Sequence, residues 1–337
     1  MTQQAQSPLL EVKNLKKYFK IPRKGMLHAV DDVSFEVYPG ETLGLVGESG
    51  CGKSTVGNVL MRLLPRTSGE LIFNGQDVFT ANKTDSFNIR KSMQIIFQDP
   101  YSSLNPRKTI KSILSEAYEI HKLAKGAELD KAINELCDMV GIARSLLNRY
   151  PHELDGGMRQ VVGIARALSL KPSFVVCDEP VSSLDVSVQA KIINLLIDMQ
   201  KKMDLSYLFI SHDLSVVRHI SDRIAVMYLG QIVEISDTAT IFSNTMHPYS
   251  IALLSAVPRV DVDTKVRRIL LKGDVPSPMN PKPGCRFAPR CWMAQDSCYD
   301  NTPELTEVEP GHCVACHFAR QSRAKIKDAA VRSLSDN

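Results

Sequence analysis

The residues Gly47-Glu48-Ser49-Gly50-Cys51-Gly52-Lys53-Ser54-Thr55 read G-x-x-x-x-G-K-[ST], between an apolar run (Thr42 to Val46) and a helical pattern starting near Lys53. Glycines at 47, 50 and 52 let successive N–H groups turn toward phosphate oxygens, and the following helix adds the positive end of its dipole. In such a loop Lys53 reaches the β- and γ-phosphates and Ser54 ligates Mg²⁺. The stretch therefore predicts nucleoside triphosphate binding; the complete motif in this setting disfavours an ordinary glycine-rich turn.

Two further groups carry chemistry. Phe174-Val175-Val176-Cys177 reads as a buried parallel strand ending in Asp178-Glu179-Pro180. Carboxylates there are costly without a partner, and Mg²⁺ with a polarised water supplies one. Asp178 is then a Mg²⁺ holder acting through water, and Glu179 orients or deprotonates the attacking water; the plainer alternative is an acidic pair capping a helix. Ser206-Tyr207-Leu208-Phe209-Ile210-Ser211 is a second buried strand, and His212 at its polar end has the address of a γ-phosphate sensor. In open α/β sheets the carboxyl ends of strands form the binding crevice, so the ends before Gly47, Asp178 and His212 are expected to converge.

The elements that must position these groups follow from periodicity. Leu9 to Phe19 and Ala29 to Val37 alternate as strands, and Pro39-Gly40 turns the chain into the strand before the loop, so an antiparallel layer comes first. Tyr18 or Phe19 is a candidate to stack on a base, against the alternative of a buried strand aromatic. After Lys53, apolar residues at Val56, Val59, Leu60, Leu63 and Leu64 mark one helix face, and Ser68-Gly69 and Asn74-Gly75 punctuate two short strands. Asn82-Lys83-Thr84-Asp85 spells N-K-x-D, a guanine-specificity pattern, but its order and setting are wrong and it reads as chance. A strand through Phe97 ends in Gln98. The chain is helical from about Ile110 to Arg166, interrupted at Tyr150 to Gly157. Gly156-Gly157 open the last helix there as a second anion-site candidate, or as a plain turn capped by Asp155. Val188, Ile192, Leu195, Leu196 and Met199 make an amphipathic helix.

The 337 residues are 44% hydrophobic with a formal net charge of +4, the composition of a globular protein and too weakly basic to argue for nucleic acid. No run of 18 uncharged apolar residues crosses a membrane, and the polar start is unlike a signal peptide, so a cytoplasmic setting is expected. Of eight cysteines, five crowd together as Cys285, Cys291, Cys298, Cys313 and Cys316. In a reducing compartment this suggests a metal site, with four thiolates suiting zinc or a [4Fe–4S] cluster. Cys313 to His317 also spells the c-type haem pattern C-x-x-C-H, which would require export.

Gly47 to Thr55, Gln98, Gly156-Gly157, Asp178-Glu179, Ser183-Leu184-Asp185 and His212 occur in the order and spacing of the ATP-binding cassette (ABC) ATPases. Phe97 to Arg107, Asp185 to Ala190, His247-Pro248-Tyr249-Ser250 and Gly273 to Pro278 narrow the resemblance to the ATPase subunit of the bacterial dipeptide/oligopeptide/nickel importers. It covers about residues 8 to 320. It implies an α/β P-loop cassette: a RecA-like parallel-sheet core, an N-terminal antiparallel layer, a helical subdomain at about 99–166, and a small C-terminal cysteine-rich metal-binding region. The implied boundaries are 8–258 for the ATPase domain, 259–320 for the C-terminal domain and 321–337 for a tail.

The same resemblance implies that Gln98 couples the Mg²⁺ site to a permease, that Glu179 is the catalytic base and that His212 contacts the γ-phosphate. Register favours Phe19 over Tyr18 as the adenine platform. Cys285, Cys291, Cys298 and Cys316 carry over as ligands of a [4Fe–4S] cluster. In this family ATP lies between one subunit's phosphate loop and the other's signature loop, typically L-S-G-G-Q. Here the signature reads Leu154-Asp155-Gly156-Gly157-Met158. An ionised Asp155 cannot donate to the γ-phosphate as serine does; like charges about 4 Å apart cost roughly 4 kcal/mol at an effective dielectric of 20. The composite site that this signature loop completes is expected to be weak. Implied partners are a second, different ATPase subunit whose ATP meets Asp155, Gly156, Gly157 and Asp185, two permease subunits and an extracytoplasmic solute-binding protein, with the chain at the cytoplasmic membrane face and no nucleic acid. Nickel or another small solute is the alternative cargo. A soluble non-transport ABC ATPase lacks support without a coiled-coil insertion or a second cassette, and Glu179 and His212 argue against a non-hydrolysing regulatory subunit.

Overall fold

A computed structural model describes residues 7–257, 269–271, 273 and 276–321. In chain order the strands are β1 (Leu10–Ile21), β2 (Gly25–Val37), β3 (Thr42–Val46), β4 (Ser68–Phe73), β5 (Gln76–Asp77), β6 (Met93–Ile96), β7 (Phe174–Asp178), β8 (Ser206–Ser211), β9 (Arg223–Tyr228), β10 (Gln231–Asp237), β11 (Thr306–Glu309) and β12 (His312–Val314). The helices are α1 (Lys53–Leu60), α2 (Lys83–Ser92), α3 (Pro100–Ser103), α4 (Ile110–Ile120), α5 (Ala127–Val140), α6 (Gly156–Leu168), α7 (Val186–Met203), α8 (Leu214–Ile220), α9 (Thr238–Asn244), α10 (Pro248–Ser255) and α11 (Asp296–Asp300). They fall into two compact units. One takes the described residues of Met1–Glu11, Glu36–Thr42 and Leu71–Ser211; the other takes Val12–Phe35, Leu43–Glu70 and the described residues of His212–Asn337.

In the first unit β6, β7 and β8 run parallel, with Ile95 opposite Val176 and Val176 opposite Leu208. Every residue of β7 and β8 is buried, which explains their unbroken apolar runs: a parallel strand covered on both faces has no solvent side to mark with polar residues. Each buried Val, Leu, Ile or Phe side chain in them contributes about 1.5–3 kcal/mol by leaving water. Helix α6 buries Val162, Ile164, Ala165 and Leu168 and packs against α3, α4, α5, α7 and β6, so it is the hub of the helical region. Its neighbour α4 starts at Thr109, whose side chain accepts from the Ser112 N–H at 3.3 Å.

In the second unit β3 is parallel to β9, which turns back into β10 through Leu229 and Gly230. Both turn residues have positive φ, 42° and 85°, as the tight hairpin turn with matching twist requires. Strand β10 then pairs with β12, and β12 with β11, all antiparallel. The cysteine-bearing segment is thus tied to the sheet by a hairpin.

One local expectation differs from the structure. Helix α1 stops at Leu60 rather than running through Leu64, because the N–H groups of Leu63 and Leu64 both turn back to Asn58 O, leaving Leu63 exposed. Ser68-Gly69 opens β4 and Asn74-Gly75 separates it from β5, the two short strands that these pairs punctuate. Asn82-Lys83-Thr84-Asp85 is a helix start: Asn82 caps α2 by accepting from the Asp85 N–H at 2.9 Å, and its own amide donates to the Asp85 carboxylate at 2.7 Å. The boundary expected at residue 258 and nearly all of the tail, together with Asp274 and Val275, lie outside the described residues.

Candidate functional site

The phosphate-loop motif sits in the second unit, between the fully buried β3 and α1. Its ammonium is placed by the loop itself: Lys53 Nζ donates to Gly47 O at 2.8 Å and Glu48 O at 3.1 Å. Helix α1 has Gly52 as its N-cap, at φ 108°, with no side-chain cap bond, so no side chain of the cap blocks the first-turn N–H groups. A Cβ at Gly52 would lie 2.0 Å from Ala29 O, so only glycine fits both the backbone and the space. Ser49 and Gly50 are exposed, Cys51 and Lys53 buried, and Ser54 and Thr55 half-buried. This cradle fits a triphosphate.

Two residues that sequence reasoning missed hold the loop from the side. Arg290 Nη1 and Nη2 donate to the Glu48 carboxylate at 2.8 and 3.2 Å, and the Glu48 N–H donates to Tyr249 Oη at 2.8 Å. Glu48 occupies an unrestricted position of the motif, and Arg290 lies between cysteines with no periodic signal, so only their meeting in space reveals them. Nearby, Asp31 accepts from Tyr18 Oη, Arg286 Nη2 and, at 3.1 Å, His28 Nδ1. Burial works against the Asp31 carboxylate, but these hydrogen bonds and the Arg286 charge outweigh it and hold its pKa below the ordinary value. Tyr18 is also stacked on His28, with centroids 3.9 Å apart, whereas Phe19 is half-buried with the Lys17 ammonium 4.7 Å from its ring centroid. His212 follows β8 and is exposed.

In the first unit the structure brings Gln98 and Glu179 together: Gln98 Nε2 donates to Glu179 Oε2 at 2.9 Å. Asp178 and Glu179 are both buried at the end of β7, and Glu179 adopts φ 44°, a left-handed backbone that non-glycine residues seldom take. Asp155 caps α6 by accepting from the Met158 N–H at 2.7 Å, so the plain-cap reading of this position is correct locally. Asp155, Gly156 and Asp185 are all exposed, and Gly157 is half-buried against Val188.

The cluster expectation is corrected. Cys285, Cys291, Cys298 and Cys316 do line one cavity, but its volume is ≈ 20 Å³, about that of one water. Among the described residues no group of three or more His, Cys, Asp or Glu side chains is arranged to hold a metal ion. The [4Fe–4S] assignment, and zinc with it, is withdrawn.

Comparison with known proteins decides what this arrangement belongs to. The ABC transporter family matches residues 30–182, and the family described as oligopeptide/dipeptide transporter, C-terminal region, matches residues 233–298. The oligopeptide transport ATP-binding protein AppF of Bacillus subtilis is 49% identical over 327 residues, which are 94% of this chain and 99% of AppF. The chain belongs to the oligopeptide-type ABC transporter ATP-binding family. Another relative of this ABC protein, the oligopeptide transport ATP-binding protein OppF of the same organism, is 49% identical over 312 residues, 91% of this chain and 96% of OppF. Among solved structures, the cassette MJ0796, a dimer bound to ADP and Pi, matches with a TM-score of 0.61 at 26% identity, covering 68% of this chain and 98% of its own. Among the described residues of this ABC subunit no helix is long and apolar enough to cross a membrane.

Proposed function

We infer that this chain is the ATP-hydrolysing subunit that powers peptide import through a membrane permease. The observation that carries this is near-full-length identity of about half to oligopeptide transport ATP-binding proteins in a chain with an intact phosphate-loop motif, Gln98, Asp178-Glu179 and His212. Lys53 and the loop N–H groups from Gly47 to Thr55 bind the phosphates. Ser54, Gln98 and Asp178, the last through water, would hold Mg²⁺, which would supply positive charge to offset the charge that develops on the transferred phosphate. Glu179 orients and deprotonates the water, and His212 contacts the γ-phosphate. Phe19 is the adenine platform, because the Tyr18 ring is already stacked on His28 and its hydroxyl is committed to Asp31.

Asp155, Gly156, Gly157 and Asp185 face the ATP of a second ATPase subunit, a different one, and the exposure of three of these four supports a partner-facing role. The negative Asp155 makes the site it completes the weaker of the pair, leaving the site built on Gly47 to Thr55 as the competent one. The dimer works at the cytoplasmic membrane face on two permease subunits, with a solute-binding protein delivering peptide from outside.

Membrane vesicles carrying the assembled transporter test this through ATP-dependent accumulation of labelled peptide. Lys53→Ala in this chain is expected to abolish accumulation; unchanged accumulation would refute the reading.

A further inference from the structure

Glu48 sets a problem within the phosphate loop. A carboxylate in a loop that gathers N–H groups for an anion repels the ligand unless its charge is met. Arg290 meets it with two parallel hydrogen bonds at 2.8 and 3.2 Å, and the Arg290 side chain is only 7% exposed. Arg290 itself is held by its surroundings. Its guanidinium lies 6.0 Å from the Tyr228 ring centroid, and Tyr228, Tyr249 and Phe287 contact one another with centroids 4.6 to 5.5 Å apart. Tyr249 accepts the Glu48 N–H at 2.8 Å, so both the backbone and the side chain of Glu48 are fixed by the same cluster.

A second arginine of the same segment acts one step further along the loop. Arg286 donates to Leu229 O and to Asp31, bracing the β9–β10 turn. The next residue of that turn, Gly230, donates its N–H to Cys51 O at 2.8 Å and accepts from the Asp31 N–H at 2.8 Å. The stretch from Cys285 to Cys291 therefore reaches the phosphate loop at Glu48 directly and at Cys51 through one turn.

We propose that Arg290 is a positioning residue for nucleotide binding: it neutralises Glu48 and, with Arg286, makes the cysteine-bearing C-terminal segment a two-point brace for the phosphate loop. The proposal rests on the reading that Gly47 to Thr55 bind the triphosphate. Removing the Arg290 charge leaves the Glu48 charge unmatched within the phosphate loop, so the defect is electrostatic and is cured by removing the second charge.

The test is the dissociation constant for Mg-ATP and the ATPase KM and kcat of the full chain, with thermal melting as a folding check. Arg290→Met is expected to raise both Kd and KM roughly 10-fold with kcat held within about twofold, the signature of lost binding rather than lost chemistry. The double variant Arg290→Met with Glu48→Gln is expected to recover most of that loss, and Arg290→Lys to lose less than Arg290→Met. Should Arg290→Met fail to fold, Glu48→Gln alone stands in, with tighter ATP binding expected. Unchanged affinity in Arg290→Met, no recovery in the double variant, or weaker binding in Glu48→Gln overturns the proposal. Lys53→Ala separates the two levels: if it loses ATP while Arg290→Met does not, the brace fails and the loop reading stands; if Lys53→Ala keeps ATP, the loop reading itself falls.

Discussion

Gln98 and Glu179, 81 residues apart in sequence, meet in a 2.9 Å hydrogen bond from the amide of the first to the carboxylate of the second. The amide donates to Oε2 and so orients the carboxylate proposed to act on water. Gln98→Ala is expected to lower the rate of phosphate release roughly 10-fold while ATP stays bound. A parental rate in Gln98→Ala would separate the two residues functionally.

Gly157 faces Val188 so closely that a Cβ on it would lie 2.6 Å from Val188 Cγ1. The contact joins the start of α6 to the first turn of α7, where Val188 N–H donates to Asp185 O at 2.9 Å. Gly157→Ala is expected to lower stability by about 1–3 kcal/mol through overpacking, seen as a fall in the urea midpoint. Adding Val188→Ala should return most of it.

Asp155 caps α6, and serine is an equally good cap, so Asp155→Ser keeps the helix start and removes only the charge. Melting temperature is expected to stay within a degree or two of the parent. Turnover of the assembled transporter should rise, since the composite site gains a donor; an unchanged rate sinks the idea of unequal sites.

His247 is buried, and burial lowers its pKa from 6.5 to about 4. It caps α10 with its unprotonated Nδ1, which accepts from the Tyr249 N–H at 3.1 Å. The groups around it include the buried Glu234, which burial disfavours as a carboxylate but which the His312 side chain at 2.8 Å and the Met246 N–H at 2.6 Å keep ionised. The unfolded chain takes up the His247 proton first as pH falls, so this stability is complete above about 6.5 and is lost as pH falls through about 4. The window is worth roughly 3 kcal/mol. His247→Asn keeps the cap and removes the titration, and urea midpoints measured between these pH values should fall less steeply in it than in the parent.

The buried strands β3, β7 and β8 and the residues at their ends were legible because their signals are local: unbroken apolar runs followed by glycines or carboxylates. The β9–β10 hairpin was harder, since its turn places Leu229 at φ 42°, a conformation no composition rule assigns to leucine. Arg290 and Glu48 were not legible at all, being 242 residues apart with no shared pattern. The cysteines misled for the opposite reason: their crowding is real and four of them do line one cavity, but sequence spacing carries no information about its size or about how the thiols are arranged around it.

Hydrolysis by this chain rests on Glu179. Phosphate release from Mg-ATP by the full chain with its transporter partners should fall at least about 100-fold in Glu179→Gln while ATP remains bound, because the base is lost and the binding groups are not. Release at the parental rate in Glu179→Gln would contradict it.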